Sequence, residues 1–358
     1  MLIEQLYSGL TQLRCAKILA AAKRVRILVV GDVILDHFIW GRSTRISPEA
    51  PVPVVEIRSE SYMLGGAANV ARNLSSLGGR VKIFGIVGRD ASADRLCQLL
   101  IDDAIDVSGL VRSAKCYTTT KTRIVAGQQQ IARLDRETKS NLDWKVKQAL
   151  HRRLEKAIAL ADAVIIADYN KGFITKKLLD TIKICSGEKV WLSLDPKPSR
   201  SINLQGLSLL TPNRREAFQL ANLSDNSKHK NPLKDTQLLR VASKLMEALN
   251  PKILLITLSE HGILLCIRSH QPIHIPTVAK EVYDVSGAGD TVIASFTLAI
   301  AAGASPLEAA LLSNHAAGLV VGKIGTATIT PSELGRSINS FKTIYQGTAQ
   351  SRASEFTF

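Results

Sequence analysis

Asp284-Val285-Ser286-Gly287-Ala288-Gly289-Asp290-Thr291 separates two kinds of sequence. Before it lie Pro276, Val278 and Val282, in a β-branched run. After it comes a long apolar run from Val292 to Ala302, interrupted by Ser and Thr and stopped at Gly303. The pattern predicts extended chain, a glycine-rich turn, then a buried helix entered at Ala288 or Gly289. A turn of this kind aims unpaired backbone N–H groups at one point and adds the positive end of a helix dipole, which suits negative charge on phosphate. The glycines admit a ligand without a Cβ in the way. Asp290 fits as a base that takes a proton from a hydroxyl attacking phosphorus. The plainer alternative is a capping Asp in a Gly-rich turn.

Around this centre the chain reads as an α/β protein. Val25 to Val30 is a short apolar run ending at Gly31-Asp32, as expected of a central parallel strand buried on both faces. Further strands follow at 81–87, 163–167, 190–194, 207–210, 253–258 and 263–267, with helical segments between most of them. This βα succession predicts a mostly parallel sheet covered by helices on both faces. Leu2, Leu6, Leu10 and Leu13 predict one stripe of a helix over residues 4–22. Prolines 48, 51 and 53 exclude a helix, and the valines beside them suggest a strand at a sheet edge. Residues 107–135 alternate apolar and polar. Together, about 38–57 and 112–135 are expected to form a small antiparallel sheet, a lid over a single main body that spans the chain. The tail from about 343 to 358 is expected to be loose.

Composition narrows the function. The 358 residues carry 46 Lys and Arg against 31 Asp and Glu, a net charge of +15. These cations are spread over many segments and aromatics are few, which argues against nucleic acid and for attraction of phosphorylated metabolites. Cysteines 15, 97, 116, 185 and 266 show no CxxC or metal spacing, so reduced thiols are expected. No stretch has transmembrane length without charge, and the N-terminus does not read as a secretory signal. A cytoplasmic protein with no membrane partner is expected.

Several polar residues fall at predicted strand ends, where open α/β sheets bind ligands: Asp32, Asp168, Asp195, Asn213 and Thr257. Asp32 and Asp36 are placed to meet a ligand, or lie in a solvated loop. Gly65-Gly66-Ala67-Ala68-Asn69 opens a helix; its small residues allow close ligand approach or tight helix–sheet packing, and Asn69 is placed to face a sugar. Asn213 and Glu216 share a helix face, suiting either Mg²⁺ held through water or a capping box. Arg123 and Arg133 lie on the lid as ligand contacts or solvated charges. P-loop, HExxH and GxSxG patterns are absent.

Taken together, Gly65 to Asn69, the 284–291 stretch and Thr211-Pro212-Asn213 with Glu216 resemble the signatures of the ribokinase-like (PfkB) carbohydrate kinases, over roughly residues 25–335. Within that family, Gly31 to Asp36, Ser43 to Val54, Gln129-Gln130 with Arg133-Leu134-Asp135, Asp168-Tyr169 with Lys171-Gly172, Asp195-Pro196-Lys197, and Val320 to Lys323 with Gly325-Thr326 resemble the heptose 7-phosphate kinases of lipopolysaccharide-core synthesis. The resemblance implies a ribokinase-like fold and ATP-dependent phosphorylation of D-glycero-β-D-manno-heptose 7-phosphate at C1, on the route to ADP-heptose. It implies Asp290 as base and the N–H groups of Gly287, Ala288 and Gly289 as the anion hole. Asp32, Asp36 and Asn69 would meet the sugar, with Gly65 and Gly66 allowing approach, and Arg123, Arg133 and Lys171 would meet its phosphate. Asn213 and Glu216 would order Mg²⁺ and phosphates. Thr257, Ser259, Gly262 and Asn314 would border the nucleotide, and Asp284 would hold a monovalent cation such as K⁺. It further implies a homodimer through the lid sheet. No room remains after Leu334 for an adenylyltransferase domain, so a separate one is expected downstream.

Overall fold

The computed structural model describes residues 7, 9–127, 129–138, 144–198, 202–227, 229–279 and 281–341. The expected loose tail, like Leu2 and Leu6, lies outside them. A nine-stranded sheet forms the centre, in the order β13-β12-β11-β10-β9-β8-β1-β4-β5. Its strands are β1 (Arg26–Gly31), β4 (Arg80–Val87), β5 (Asp106–Arg112), β8 (Ala163–Ala167), β9 (Trp191–Asp195), β10 (Leu209–Leu210), β11 (Ile253–Thr257), β12 (Ile263–Ile267) and β13 (Ile273–Ile275). Strands β5 through β11 pair in parallel, whereas β12 and β13 pair antiparallel at one edge.

The apolar runs predicted as doubly buried strands are so because alternate residues feed two cores. Ile27 and Val29 join one cluster while Leu28 and Val30 join the other, and Ile165 and Ile166 divide the same way. The first core is closed by α1 (Gln12–Ala22), α2 (Ala67–Ser76), α3 (Ala91–Asp102), α8 (Ala288–Ala301) and α9 (Pro306–Val320). The second is closed by α4 (Trp144–Ile158), α5 (Lys176–Ser186), α6 (Arg214–Leu220) and α7 (Thr236–Leu249). Helix α7 shows the rule plainly: Leu238, Val241, Ala242 and Leu245, at helical spacing, are its buried face, and Asp235 caps it by accepting from the N–H of Leu238.

Helix α8 differs, because every residue from Thr291 to Ala299 is buried. Its polar members are satisfied internally: Thr291 Oγ1 donates to Asn73 Oδ1 at 3.0 Å, and Ser193 and Thr297 hydroxyls lie 2.7 Å apart.

The second sheet has the order β3-β2-β6-β7, from β2 (Val33–Ile46), β3 (Pro53–Gly66), β6 (Thr120–Ala126) and β7 (Gln129–Arg136). It differs from expectation in three ways. The first hairpin spans 33–66 rather than 38–57, since β2 leaves β1 after a single residue, Asp32. The second segment starts at Thr120 rather than about 112, since Arg112 ends β5, which pairs in parallel with β4 as the edge of the large sheet. And β2 pairs with β6 in parallel, so the small sheet is mixed. Another correction concerns the N-terminal helix. Residues 9–11 break it, Thr11 caps α1, and Leu13 is 67% exposed although Leu10 is buried, so the two do not share a stripe.

Candidate active site

Strand order reverses between β1 and β8: the chain builds outward to β4 and β5 on one side and to β9, β10 and β11 on the other. A crevice at the carboxyl ends of the strands is expected at such a switch point. Asp32 lies just after β1 and is 4% exposed. Its carboxylate accepts the backbone N–H groups of Tyr169 and Lys171 at 3.0 Å and of Phe173 at 3.1 Å. Asp32 is therefore a buried clasp on the loop after β8, not a residue of a solvated turn. That loop carries Tyr169 into the crevice.

Asp36 sits opposite Met63 on β2, and its Oδ1 accepts from Arg123 Nη1 at 2.5 Å. A Cβ on Gly65 would lie 2.2 Å from Asp36 Oδ2, and one on Gly66, at φ +56°, 2.6 Å from the Asp32 carbonyl. These two glycines thus let β3 pass close to both acids and turn directly into α2, which explains the paired glycines without a dinucleotide fingerprint. Arg123 also stacks over Phe38, its guanidinium carbon 5.1 Å from the ring centroid. Arg133 faces Arg123 across β6–β7 but is mostly exposed and forks onto Asp135. Lys171 pairs with Glu137.

The 284–291 stretch takes the expected shape. Asp284 Oδ1 accepts from Ser286 N–H at 2.8 Å and Oδ2 from Gly325 N–H at 3.0 Å. Burial raises its pKa, but these N–H groups outweigh that and hold the carboxyl below its ordinary value. Gly287 precedes α8 at φ +79°, with no side-chain cap, and a Cβ there would meet Asn69 Nδ2 at 2.7 Å. A Cβ on Gly289 would meet nothing within 4 Å. The first turn of α8 therefore opens onto space with no side-chain cap, although the Ala288 N–H reaches back to the Val285 carbonyl at 3.2 Å.

Asp290 stands in that first turn. Its Oδ2 accepts from Asn69 Nδ2 at 2.7 Å, and its Oδ1 accepts from the hydroxyl of Tyr169. Asn69 is fully buried, and Asn73 Nδ2 donates to its carbonyl at 3.0 Å. Burial pushes the Asp290 carboxyl above its ordinary value, against the two hydrogen bonds and the Lys197 ammonium.

Asn213 and Glu216 form a capping box on α6. The Asn213 side chain accepts from Glu216 N–H at 2.9 Å, and Glu216 Oε2 from Asn213 N–H at 3.0 Å. The other oxygen, Oε1, accepts from Lys197 Nζ at 2.8 Å, and Lys197 also reaches Asp195 at 2.9 Å. Burial pushes Asp195 up to about 7 against the pull of Lys197. Among the described residues no group of three or more His, Cys, Asp or Glu is placed to hold a metal ion. The oxygen donors nevertheless fit an ion that keeps most of its water and arrives with phosphates.

A cavity of about 400 Å³ abuts the start of α8 and is bordered by Thr257, Ser259, Gly262, Ala288, Gly289 and Asn314. Its walls are otherwise largely apolar, including Ile263, Val282, Val292 and Ala317. That size and lining suit a cofactor-sized ligand. Asn314 ties the wall together, since its Nδ2 donates to the Pro276 carbonyl at 2.7 Å.

The structure thus gathers Asp36, Gly65, Gly66, Asn69, Gly287 and Asp290 around one crevice. Thr257, Ser259, Gly262 and Asn314 border the neighbouring cavity, which Ala288 and Gly289 line as well. Arg133 is left at the periphery. Tyr169, Asp195 and Lys197 had no role assigned from sequence. Their place after strands β8 and β9 and the resemblance motifs marked them, without saying what they do.

Residues 25–333 match the family described as pfkB family carbohydrate kinase. The chain is 43% identical over 311 residues to the bifunctional protein HldE of Sulfurimonas denitrificans, covering 86% of this chain and 63% of that protein. It is 38% identical over 320 residues to HldE of Geobacter sulfurreducens, covering 89% and 64%. The chain therefore spans under two thirds of the length of these relatives. Among solved structures it is similar to Arabidopsis thaliana ribokinase complexed with ribose and ATP, with a TM-score of 0.70 at 18% identity, covering 88% of this chain and 98% of that one. Escherichia coli phosphofructokinase-2 with substrates and products gives 0.71 at 20%, covering 88% and 99%. Both show the fold.

Proposed function

The chain belongs to the pfkB family of carbohydrate kinases, and on that premise we propose that it phosphorylates D-glycero-β-D-manno-heptose 7-phosphate at C1, using ATP. The observation that carries the reading is the uncapped first turn of α8, with Asp290 held inside it between Asn69 and Tyr169 and a cofactor-sized cavity alongside. Similarity to two HldE proteins supports the heptose phosphate over other sugars.

The residues divide the work. The adenosine moiety lies in the cavity near Thr257, Ser259, Gly262 and Asn314. The N–H groups of Gly287, Ala288 and Gly289 take up charge on the transferring phosphoryl group. Asp290 accepts the proton of the acceptor hydroxyl, and Asp36 and Asn69 orient the sugar. Asp32 acts on the sugar through the loop it clasps. Arg123 and Lys171, each already neutralised by one carboxylate, meet the distal phosphate. Arg133 remains a weaker candidate for that role, since its guanidinium is committed to Asp135. Asn213 and Glu216 would hold a Mg²⁺ ion through water, and when bound it would supply charge neutralisation on the nucleotide phosphates. Asp284 is a K⁺ candidate only through its second lone pairs, because each oxygen already accepts an N–H.

Two copies are proposed to associate through the small sheet, where Ile46, Ile57 and Leu134 are 63%, 58% and 57% exposed. The 1,7-bisphosphate would pass to a nucleotidyl-transfer step. Among the described residues no helix is long and apolar enough to cross a membrane. An ADP-release assay over heptose 7-phosphate, fructose 6-phosphate and ribose tests the substrate. The heptose phosphate is expected to give the highest kcat/KM; preference for ribose would reassign the distal-phosphate residues.

A further inference from the structure

A phosphoryl transfer of this kind needs a base, donors and a bound nucleotide; it does not need a phenol. Yet the hydroxyl of Tyr169 donates to Asp290 Oδ1. Tyr169 is not a chance neighbour. Its backbone N–H is fixed 3.0 Å from Asp32 Oδ2, its side chain packs against the core on the α8 side of the sheet, and Lys197 Nζ lies 6.0 Å from its ring centroid. The two donors on Asp290 are also unequal. Asn69 is fully buried on α2 and braced by Asn73, whereas Tyr169 is half-buried and rides on the loop that Asp32 clasps by its backbone.

We propose that Tyr169 is the positioning residue of the transfer step: it retains Asp290 by Oδ1 so that Oδ2, steadied by Asn69, stays turned to take the proton of the acceptor hydroxyl. The inference rests on Asp290 being the base. In that step the sugar O–H bond breaks and its proton goes to Oδ2. The new O–P bond forms, and the bond from phosphorus to the bridging oxygen of ADP breaks, its electron pair leaving with ADP. A carboxylate pinned at one oxygen cannot turn its other oxygen away from the reacting hydroxyl, which preserves the attack geometry. Burial and the nearby Asp290 hold the Tyr169 phenol well above its ordinary pKa, so it stays a donor and does not compete as a base.

Asp290 is faced by Tyr169 from the loop after β8, Lys197 and Asp195 from the end of β9, Asn69 from α2 and Asp36 from β2. Burial and the acids raise its pKa; Lys197 and the two hydrogen bonds lower it. Loss of the Tyr169 hydroxyl removes one lowering contribution. The base works deprotonated, so the acid limb of kcat/KM must move to higher pH.

The test is Tyr169→Phe, with Asp290→Asn assayed beside it. Tyr169→Phe is expected to move the acid limb up by about one pH unit and to lower kcat at neutral pH by about 10- to 100-fold, with KM for ATP within about twofold. Asp290→Asn is expected to lose about 10²- to 10⁴-fold in kcat. If Asp290→Asn stays active, the base assignment falls. If it is inactive while Tyr169→Phe keeps the wild-type acid limb, whatever its kcat, Tyr169 is merely structural and the proposal is overturned. Should Tyr169→Phe not fold, 3-fluorotyrosine placed at this position keeps a hydroxyl that donates more strongly. It is expected to move the limb to lower pH, and an unmoved limb would again overturn the proposal.

Discussion

Two helices begin at the same edge of the sheet and are finished in opposite ways. Helix α6 closes on itself: Asn213 and Glu216 satisfy each other's backbone N–H groups. Helix α8 has Gly287 in the left-handed region and no side-chain cap on its N–H groups. The first four N–H groups of any helix need partners. In α6 the capping box satisfies the N–H groups of Asn213 and Glu216, so that end is left to meet an ion only through water, with one Glu216 oxygen bonded to Lys197. In α8 no side chain caps the turn, only the Val285 carbonyl reaching Ala288 N–H at 3.2 Å, and a phosphate is the partner whose charge the helix dipole favours. The capping motif at the start of α9, Ser305 with Glu308, shows that this chain caps its helices where no ligand is required.

The sharpest way to break the comparison is to put a carboxylate into the open end. Gly289→Asp adds its side chain where a Cβ meets nothing within 4 Å, so folding should tolerate it. An acid in the first turn is worth about 0.3–1 kcal/mol of added helix stability. The same charge would repel phosphate, and kcat/KM for ATP is expected to fall about 100-fold or more, as for loss of an anion-hole donor. Thermal unfolding and ADP release measured together should therefore move in opposite directions. A variant that keeps its activity would show that phosphate binds elsewhere.

The reverse experiment has the smaller effect. Asn213→Ala removes the cap of α6 and is expected to cost about 1 kcal/mol of stability, read from the denaturant midpoint. Its kcat/KM is expected to change far less than that of Gly289→Asp. A loss as large as the Gly289→Asp effect would mean that α6, not α8, carries the phosphate chemistry.

Much of this was legible in the residues because the decisive features are local. The 284–291 stretch specifies its own turn, since only glycine readily takes φ +79° at 287. The capping box at 213–216 is written in four consecutive residues. What was hidden depends on partners distant in sequence. Strand β5 reads like the small-sheet strands because Asp106–Arg112 alternates, and only its pairing with β4 assigns it to the large sheet. Asp32 reads as a solvated turn because the three N–H groups that bury its charge lie about 140 residues on. Tyr169 and Lys197 stand in motifs that assign them no role; strand order brings them to Asp290 and Glu216.

The most direct test is a crystal structure with a non-hydrolysable ATP analogue and the sugar phosphate bound. The account predicts γ-phosphate oxygens within hydrogen-bond reach, about 2.7–3.1 Å, of the first N–H groups of α8, and the attacking hydroxyl on Asp290 Oδ2. A γ-phosphate seated at the start of α6, or a sugar hydroxyl out of reach of Asp290, would contradict it.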